Sequence, residues 1–268
     1  MPNWLVSREA IKRAGNIWGA SNHPLVDRIA DAVSRQIERG TRRFFIPRTQ
    51  TRLYEWPRHA TRRSEGWILW LDQDLLAITT LQTKAQDTTP TTIAAADYFL
   101  EPNNGDAPFN RIEIDLSSSA AFESGNTSQR SISVLGRWGY SEDTEAASQL
   151  DGAITSSATS MVIDDSSLID VGDTVLIESE QIFVSERSNA QVGSQTITSN
   201  VGLDTATVTI PVTTGTSFLA GEVILIDSER MYIESISSNN LTVIRAYDGS
   251  TLAAHNSGTA VHAFRTFT

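Results

Sequence analysis

Four histidines, His23, His59, His255 and His262, are the side chains in this 268-residue sequence best suited to move a proton or bind a metal near neutral pH. His255 and His262 stand seven apart, a spacing that suits no common ligand pair on a helix or strand. No carboxylate or second ligand lies beside any of the four in sequence, so structural or surface roles are expected. Asp72 and Asp74 alternate, as paired carboxylates on one face of a strand would. They follow Trp70-Leu71 at what reads as a turn, and a solvated turn is the expectation. Asp164-Asp165 and Asp170 have the same turn-like setting. The chain has no cysteine, which removes thiolate nucleophiles, disulfides and zinc–thiolate sites together. It also lacks Gly-x-Ser-x-Gly, His-Glu-x-x-His and a phosphate-cradling glycine loop. No catalytic residue, no metal and no cofactor are therefore expected, and the chain reads as a non-enzyme.

Charge gives the stronger signal. The net charge is −11, but to residue 140 there are 17 Lys and Arg against 15 Asp and Glu, and after it 4 against 17. Residues 28–63 hold ten arginines against three acids. A basic front and an acidic back imply two surfaces with different partners. Arg28, Arg35, Arg39, Arg42 and Arg43 are the candidates to face a protein partner or DNA. The alternative is a solvated helix face whose arginine stems cover apolar side chains. Tyr54 and Trp56 lie nearby but read as core partners, so sequence-specific nucleic-acid recognition is not expected.

The elements that would position these side chains can be read in order. Ser7 suits the cap of a helix over about 8–18, with Glu9 in its first turn. A second helix is expected from Pro24 to Arg39, with proline in the first turn and Gly40 as the stop. Val26, Ile29, Val33 and Ile37 recur at helical spacing and should bury one stripe, leaving Arg28, Arg35 and Arg39 on the other face. From Phe44 the texture turns to strands: 49–56, 67–71, 75–82, 98–100, 111–116 and 132–138.

Residues 172–184 (Gly-Asp-Thr-Val-Leu-Ile-Glu-Ser-Glu-Gln-Ile-Phe-Val) recur as 221–233 (Gly-Glu-Val-Ile-Leu-Ile-Asp-Ser-Glu-Arg-Met-Tyr-Ile). Each copy reads as a strand, a tight turn and a returning strand. The two β units are expected over about 154–187 and 206–264, with an exposed loop over 188–205 between them. The fold class is therefore α+β: an N-terminal helical and β domain (1–140), an acidic linker (141–153), and a mainly β region of two repeated hairpin units (154–268). No stretch approaches the roughly 20 apolar residues of a membrane span. The first residues lack the apolar core of a leader peptide. Synthesis in a reducing cytoplasm, with no membrane contact, is expected.

Residues 4–140 resemble the head–tail connector (adaptor) family of tailed bacteriophages. The resemblance is carried by Leu25-Val-Asp-Arg-Ile-Ala-Asp-Ala-Val-Ser-Arg-Gln-Ile-Glu, Thr41-Arg-Arg-Phe-Phe, Thr51-Arg-Leu-Tyr-Glu-Trp-Pro, Leu71-Asp-Gln-Asp-Leu-Leu-Ala-Ile-Thr-Thr-Leu, Tyr98-Phe-Leu-Glu-Pro and Gly136-Arg-Trp-Gly-Tyr in this order. The C-terminal half resembles β modules of phage structural proteins through Ile226-Asp-Ser-Glu-Arg-Met, Leu241-Thr-Val-Ile-Arg-Ala-Tyr-Asp-Gly-Ser and Ala253-Ala-His-Asn-Ser-Gly. Where that family places closing helices, this sequence places the acidic segment and the β units. The resemblance implies a structural protein of the virion neck: a ring, a dodecamer, between the portal protein and a tail or stopper protein. Such a ring lines the DNA exit channel and makes only non-specific contact with DNA. The alternative is a carbohydrate- or receptor-binding virion protein using the β modules. A tail-associated hydrolase is the third reading, and it would need a carboxylate pair held in a cleft.

Overall fold

The computed structural model describes residues 4–17, 19–57, 66–102, 106–206 and 208–268. The expected helix partner Trp18, the histidine His59 and the arginines Arg58, Arg62 and Arg63 lie outside them. The architecture is mostly β, with antiparallel sheets following an N-terminal helical segment, in keeping with an α+β class.

Helix α1 is Arg8–Gly15, with Ser7 at its N-cap position but making no side-chain cap bond. Asn16, left-handed at φ 50°, ends it. Helix α2 is His23–Thr41 and carries Pro24 in its first turn. It runs one residue past Gly40 and stops at Arg42, which takes the left-handed conformation (φ 56°). The Arg43 N–H then reaches back to the Glu38 carbonyl (3.2 Å), the bond that closes such a helix end.

The chain divides into two compact units, and the division falls within α2: residues 1–34 with 145–268, and residues 35–144. This differs from a boundary at 140–154 alone, because the first 34 residues belong with the C-terminal β region. The Arg8 N–H bonds the Val171 carbonyl at 2.8 Å. Trp4 packs edge-on against Phe183, with ring centroids 5.5 Å apart. A Cβ on Gly172 (φ 102°) would lie 2.3 Å from the Trp4 ring, so only glycine fits both the turn and the indole.

The unit of residues 35–144 is one sheet of six strands: β1 (Arg48–Tyr54), β2 (Ile68–Thr83), β3 (Thr91–Ile93), β4 (Tyr98–Glu101), β5 (Phe109–Ile114) and β6 (Ile132–Trp138). The order is β1-β6-β2-β5-β4, with β3 on the end of β2. Strict alternation along β6 buries Ile132, Val134, Gly136 and Trp138. A Cβ on Gly136 would lie 2.4 Å from the Ala77 carbonyl, so that glycine lets β2 and β6 pair closely. The core is Leu75, Leu81, Ile112, Ile132, Val134 and Trp138. The expected pair of strands 67–71 and 75–82 is a single sixteen-residue strand. Its ladder to β5 skips between Trp70 and Leu75, so the Asp-Gln-Asp run is a bulge inside β2 and not a turn.

In the other unit the strands are β7 (Met161–Val162), β8 (Thr174–Ile177), β9 (Glu180–Phe183), β10 (Arg187–Thr196), β11 (Thr209–Pro211), β12 (Val223–Ile226), β13 (Glu229–Ser237), β14 (Asn240–Ile244) and β15 (Ala260–Phe267). A seven-stranded sheet runs β10-β15-β12-β13-β14-β11, with β7 also on β15, and β8-β9 form a separate hairpin. One core gathers Ile210, Ile224, Ile226, Met231, Leu241 and Val261. A second gathers Trp4, Ala30, Met161, Val171, Val184 and Phe267.

Residues 188–205 are not the expected loop, since β10 pairs with β15. Most side chains of β10 are exposed, which removes the apolar periodicity that marks a strand in sequence. Its successors Ile197 and Val201 are buried.

Candidate functional site

The basic segment meets acids at several points. Near the C-terminal end of α2, Arg35 bonds Glu38 at 2.6 Å and Arg48 bonds both oxygens of the same carboxylate at 3.0 and 3.1 Å. The Arg48 guanidinium also lies over the Phe44 ring, 4.3 Å from its centroid. Arg43 sits 3.4 Å from Asp74 and over the Tyr140 ring. Arg52 grips Asp72 through two bonds, and the Tyr54 hydroxyl donates to the same carboxylate at 2.7 Å. Burial pushes Asp72 upward, but Arg52 and Tyr54 outweigh it and hold the carboxyl below its ordinary range. Burial and the Asp72 contact together raise the Tyr54 phenol. Asp72 and Asp74 are thus anchors for arginines, not a catalytic pair.

Residues of this segment line a cleft of about 580 Å³ that includes Arg35, Arg39, Arg42, Arg48 and Gln73. Of the five predicted arginines, Arg35 and Arg43 are partly neutralised by the acids just named. Arg28, Arg39 and Arg42 are exposed and make no ion pair among the described residues, although Glu38 and Asp72 also line the cleft.

The expected buried stripe of α2 divides. Val26 is buried, and Ala30, Ser34 and Glu38 continue its face. Leu25, Ile29, Val33 and Ile37 are 48, 50, 46 and 41% exposed. Four large aliphatics at i, i+4, i+8 and i+12 therefore form an apolar ridge on the outside of the helix. Sequence periodicity points to the outer ridge, because the two lie one position apart and the exposed one, Leu25, Ile29, Val33 and Ile37, is the more apolar.

The remaining polar clusters are buried. Arg245 forks onto Glu229 (2.9 and 2.7 Å), which also accepts the N–H groups of Ala246 and Ala253. His255 sits between two acids, Nε2 3.0 Å from Glu229 and Nδ1 2.7 Å from Asp227. Burial opposes the charge on Glu229, yet these donors bring its pKa down to about 2. The expectation that no carboxylate lies near the histidines fails here, because Asp227 and His255 are brought together from distant β12–β13 and the segment before β15. With both ring nitrogens taken by acids, His255 presents neither of them to a substrate.

A second cluster surrounds α1. Ligand atoms of Glu9, His23 and Asp248 lie within 4.8 Å of one another, as metal ligands might. However, the buried Lys12 ammonium already sits among them, bonded to Asp248, 2.9 Å from His23 Nε2 and 3.6 Å from Glu9. A lysine in that place supplies the cation, and the donor set does not fit a metal ion as well. Burial opposes ionisation of Asp248, but His23 and Lys12 hold its carboxyl well below the ordinary range. Asp170 is likewise buried and not the solvated turn residue expected: desolvation lifts its pKa to about 6, against the pull of Arg187 at 3.2 Å. His262 makes no hydrogen bond through its buried Nδ1. The signals that sequence reading missed were Asp-Ser-Glu (227–229), Arg245 and His255, none of which is adjacent to all its partners in the chain. No family model, curated protein or solved structure matches this chain.

Proposed function

We propose that this chain is a structural virion protein, a head-to-tail connector that assembles as a homo-oligomeric ring, a dodecamer, between portal and tail. The observation that carries the reading is the outer ridge of α2, Leu25, Ile29, Val33 and Ile37, accompanied by the unpaired Arg28, Arg39 and Arg42. Exposed aliphatics at regular spacing beside free arginines have the composition of a protein interface core and its margin. A closed ring uses repeated head-to-tail contacts between different patches of one subunit, and α2 supplies one such patch. The cleft beside it, with Arg39 and Arg42, is then available to the acidic surface of a neighbour or to the DNA in the channel. The chemistry is binding, alignment and sealing, without a catalytic step.

The two hairpins support a finer point: they are copies of one β unit added to the connector core. Both have a two-residue turn, with Ile177 opposite Glu180 and Ile226 opposite Glu229. Both place the first turn residue in the left-handed region, Glu178 at φ 53° and Asp227 at φ 51°. The carbohydrate-binding alternative gains no such support. Tyr232 and Tyr247 stack on one another at 5.4 Å, and Tyr247 is buried.

The test is sedimentation of the full chain at micromolar concentration, alone and mixed with portal rings. Self-association into one large species that co-sediments with portal is expected. A monomer that portal protein leaves unmoved would sink the reading.

A further inference from the structure

We propose that the outer edge of β8 is completed by β10 from a second copy of this chain. This inference rests on the reading of the chain as self-associating, and it names one contact through which copies join.

The two hairpins share one geometry. Their registers match position by position: Thr174–Phe183 with Val223–Tyr232, through to Ile177–Glu180 with Ile226–Glu229. Each begins after a glycine in the same conformation, Gly172 at φ 102° and Gly221 at φ 100°. Each glycine N–H bonds the carbonyl at the far end of its hairpin, that of Val184 or Ile233. The surroundings differ. The edge of β12 carries β15 along Ile224, Leu225 and Ile226, and the edge of β13 carries β14. Among the described residues, β8 and β9 pair only with each other, and no backbone hydrogen bond reaches 174–177 or 180–183 from outside the hairpin.

An isolated two-stranded hairpin with two open edges is the kind of surface that recruits a further strand. In β8, Leu176 is 39% exposed while Val175 and Ile177 lean on the core, and Thr174 Oγ1 is buried without a hydrogen-bond partner. The second hairpin is an internal template for what such an edge accepts: an antiparallel strand over three residues.

The same chain offers a strand that fits. β10 ends the seven-stranded sheet, and over Arg187–Gln191 it is paired on one side only, by β15. After Arg187 its sequence Ser-Asn-Ala-Gln-Val-Gly-Ser-Gln-Thr contains neither charge nor proline, the devices that usually guard a solitary edge. Its ladder with β15 shifts register between Ser188 and Ala190 and again between Gln191 and Thr196, so the paired stretch Arg187–Gln191 carries a bulge and is one residue longer than the four-residue β8. Because β8 and β10 are different strands, pairing between copies is head-to-tail and can propagate around a ring.

The pairing alternates between bonded and outward-facing positions. Since Ile177 and Glu180 close the two-residue turn, the Leu176 N–H points outward. Leu176→Pro removes that donor and leaves the hairpin's own ladder intact. Leu176→Lys adds a charge to the edge without removing a buried side chain. Sedimentation of the full-length native chain and both variants, with circular dichroism to confirm folding, gives the test. Association weakened at least tenfold in both variants is expected, together with slower hydrogen exchange at the Leu176 amide as native protein is concentrated. If Leu176→Pro fails to fold, Leu176→Lys alone decides. Folded variants that form the same ring as the native chain overturn the strand contact and leave the ring reading standing. A native chain that stays monomeric at every concentration overturns both.

Discussion

His255 lies in a carboxylate sandwich, with Nε2 3.0 Å from Glu229 and Nδ1 2.7 Å from Asp227. Both ring nitrogens are thus occupied by acids, beside the Arg245 guanidinium that forks onto Glu229. Removing one member of a buried charged network leaves the others uncompensated, at a cost of roughly 3–5 kcal/mol. His255→Gln should therefore destabilise the seven-stranded sheet by about 3 kcal/mol. Calorimetric unfolding of the variant beside the native chain reads this directly, and an unchanged transition would remove the network from the account.

The same network fixes a direction for acid sensitivity. The Glu229 carboxyl titrates at about 2 in the folded chain against an ordinary 4.5. A depressed acid contributes its stability above the unfolded value and loses it as pH falls through the folded one. Melting temperature should fall between about pH 4.5 and pH 2, and Glu229→Gln, less stable at neutral pH, should show a flatter slope over that window. A slope equal to the native one would contradict the assignment.

Asp170 predicts the opposite sign. Its pKa is lifted to about 6 from 3.8, so the folded chain holds this proton more tightly than the unfolded chain does. Stability contributed by the protonated form is present below about pH 4 and lost as pH rises toward 6. Asp170→Asn keeps an acceptor for the Val171 N–H and removes the buried charge. It should raise stability at pH 7 by about 1–3 kcal/mol and leave pH 4 unaffected. Equal native and variant melting curves at pH 7 would show that Arg187 fully compensates the charge.

The outer face of α2 should matter for assembly and not for folding. Ile29→Ser with Val33→Ser, and separately Arg39→Glu with Arg42→Glu, replace exposed side chains that make no ion pair among the described residues. Each substitution should change stability by about 0.5 kcal/mol or less. Both double variants should shift sedimentation toward the monomer. Native-like association in both would remove α2 from the subunit contact.

How much of this was legible in the sequence differs by element. Both helices and most strands of residues 48–138 follow from periodicity, because their buried positions recur at the helical or strand period. β10 was not legible, since an edge strand with mostly exposed polar side chains carries no apolar alternation. The grouping of residues 4–34 with 145–268 was also hidden, because Trp4 against Gly172 and Lys12 against Asp248 are long-range pairings with no local signal. Among the site residues, the basic character of α2 was plain from spacing. Which arginines are neutralised depends on Glu38, Asp72 and Asp74 meeting them across a helix end and a bulged strand. The sandwich at His255 needs three segments, 227–229, 245–246 and 253–255, to converge, so no single motif announces it.

The central claim is that copies of this chain close into a ring. Negative-stain electron microscopy of the purified full-length protein tests it most directly. Rings of one rotational symmetry with a central channel, about twelve subunits each, are expected, and the double substitution of Ile29 and Val33 by serine should disperse them. Uniform monomers at every concentration, or open filaments without closure, would contradict it.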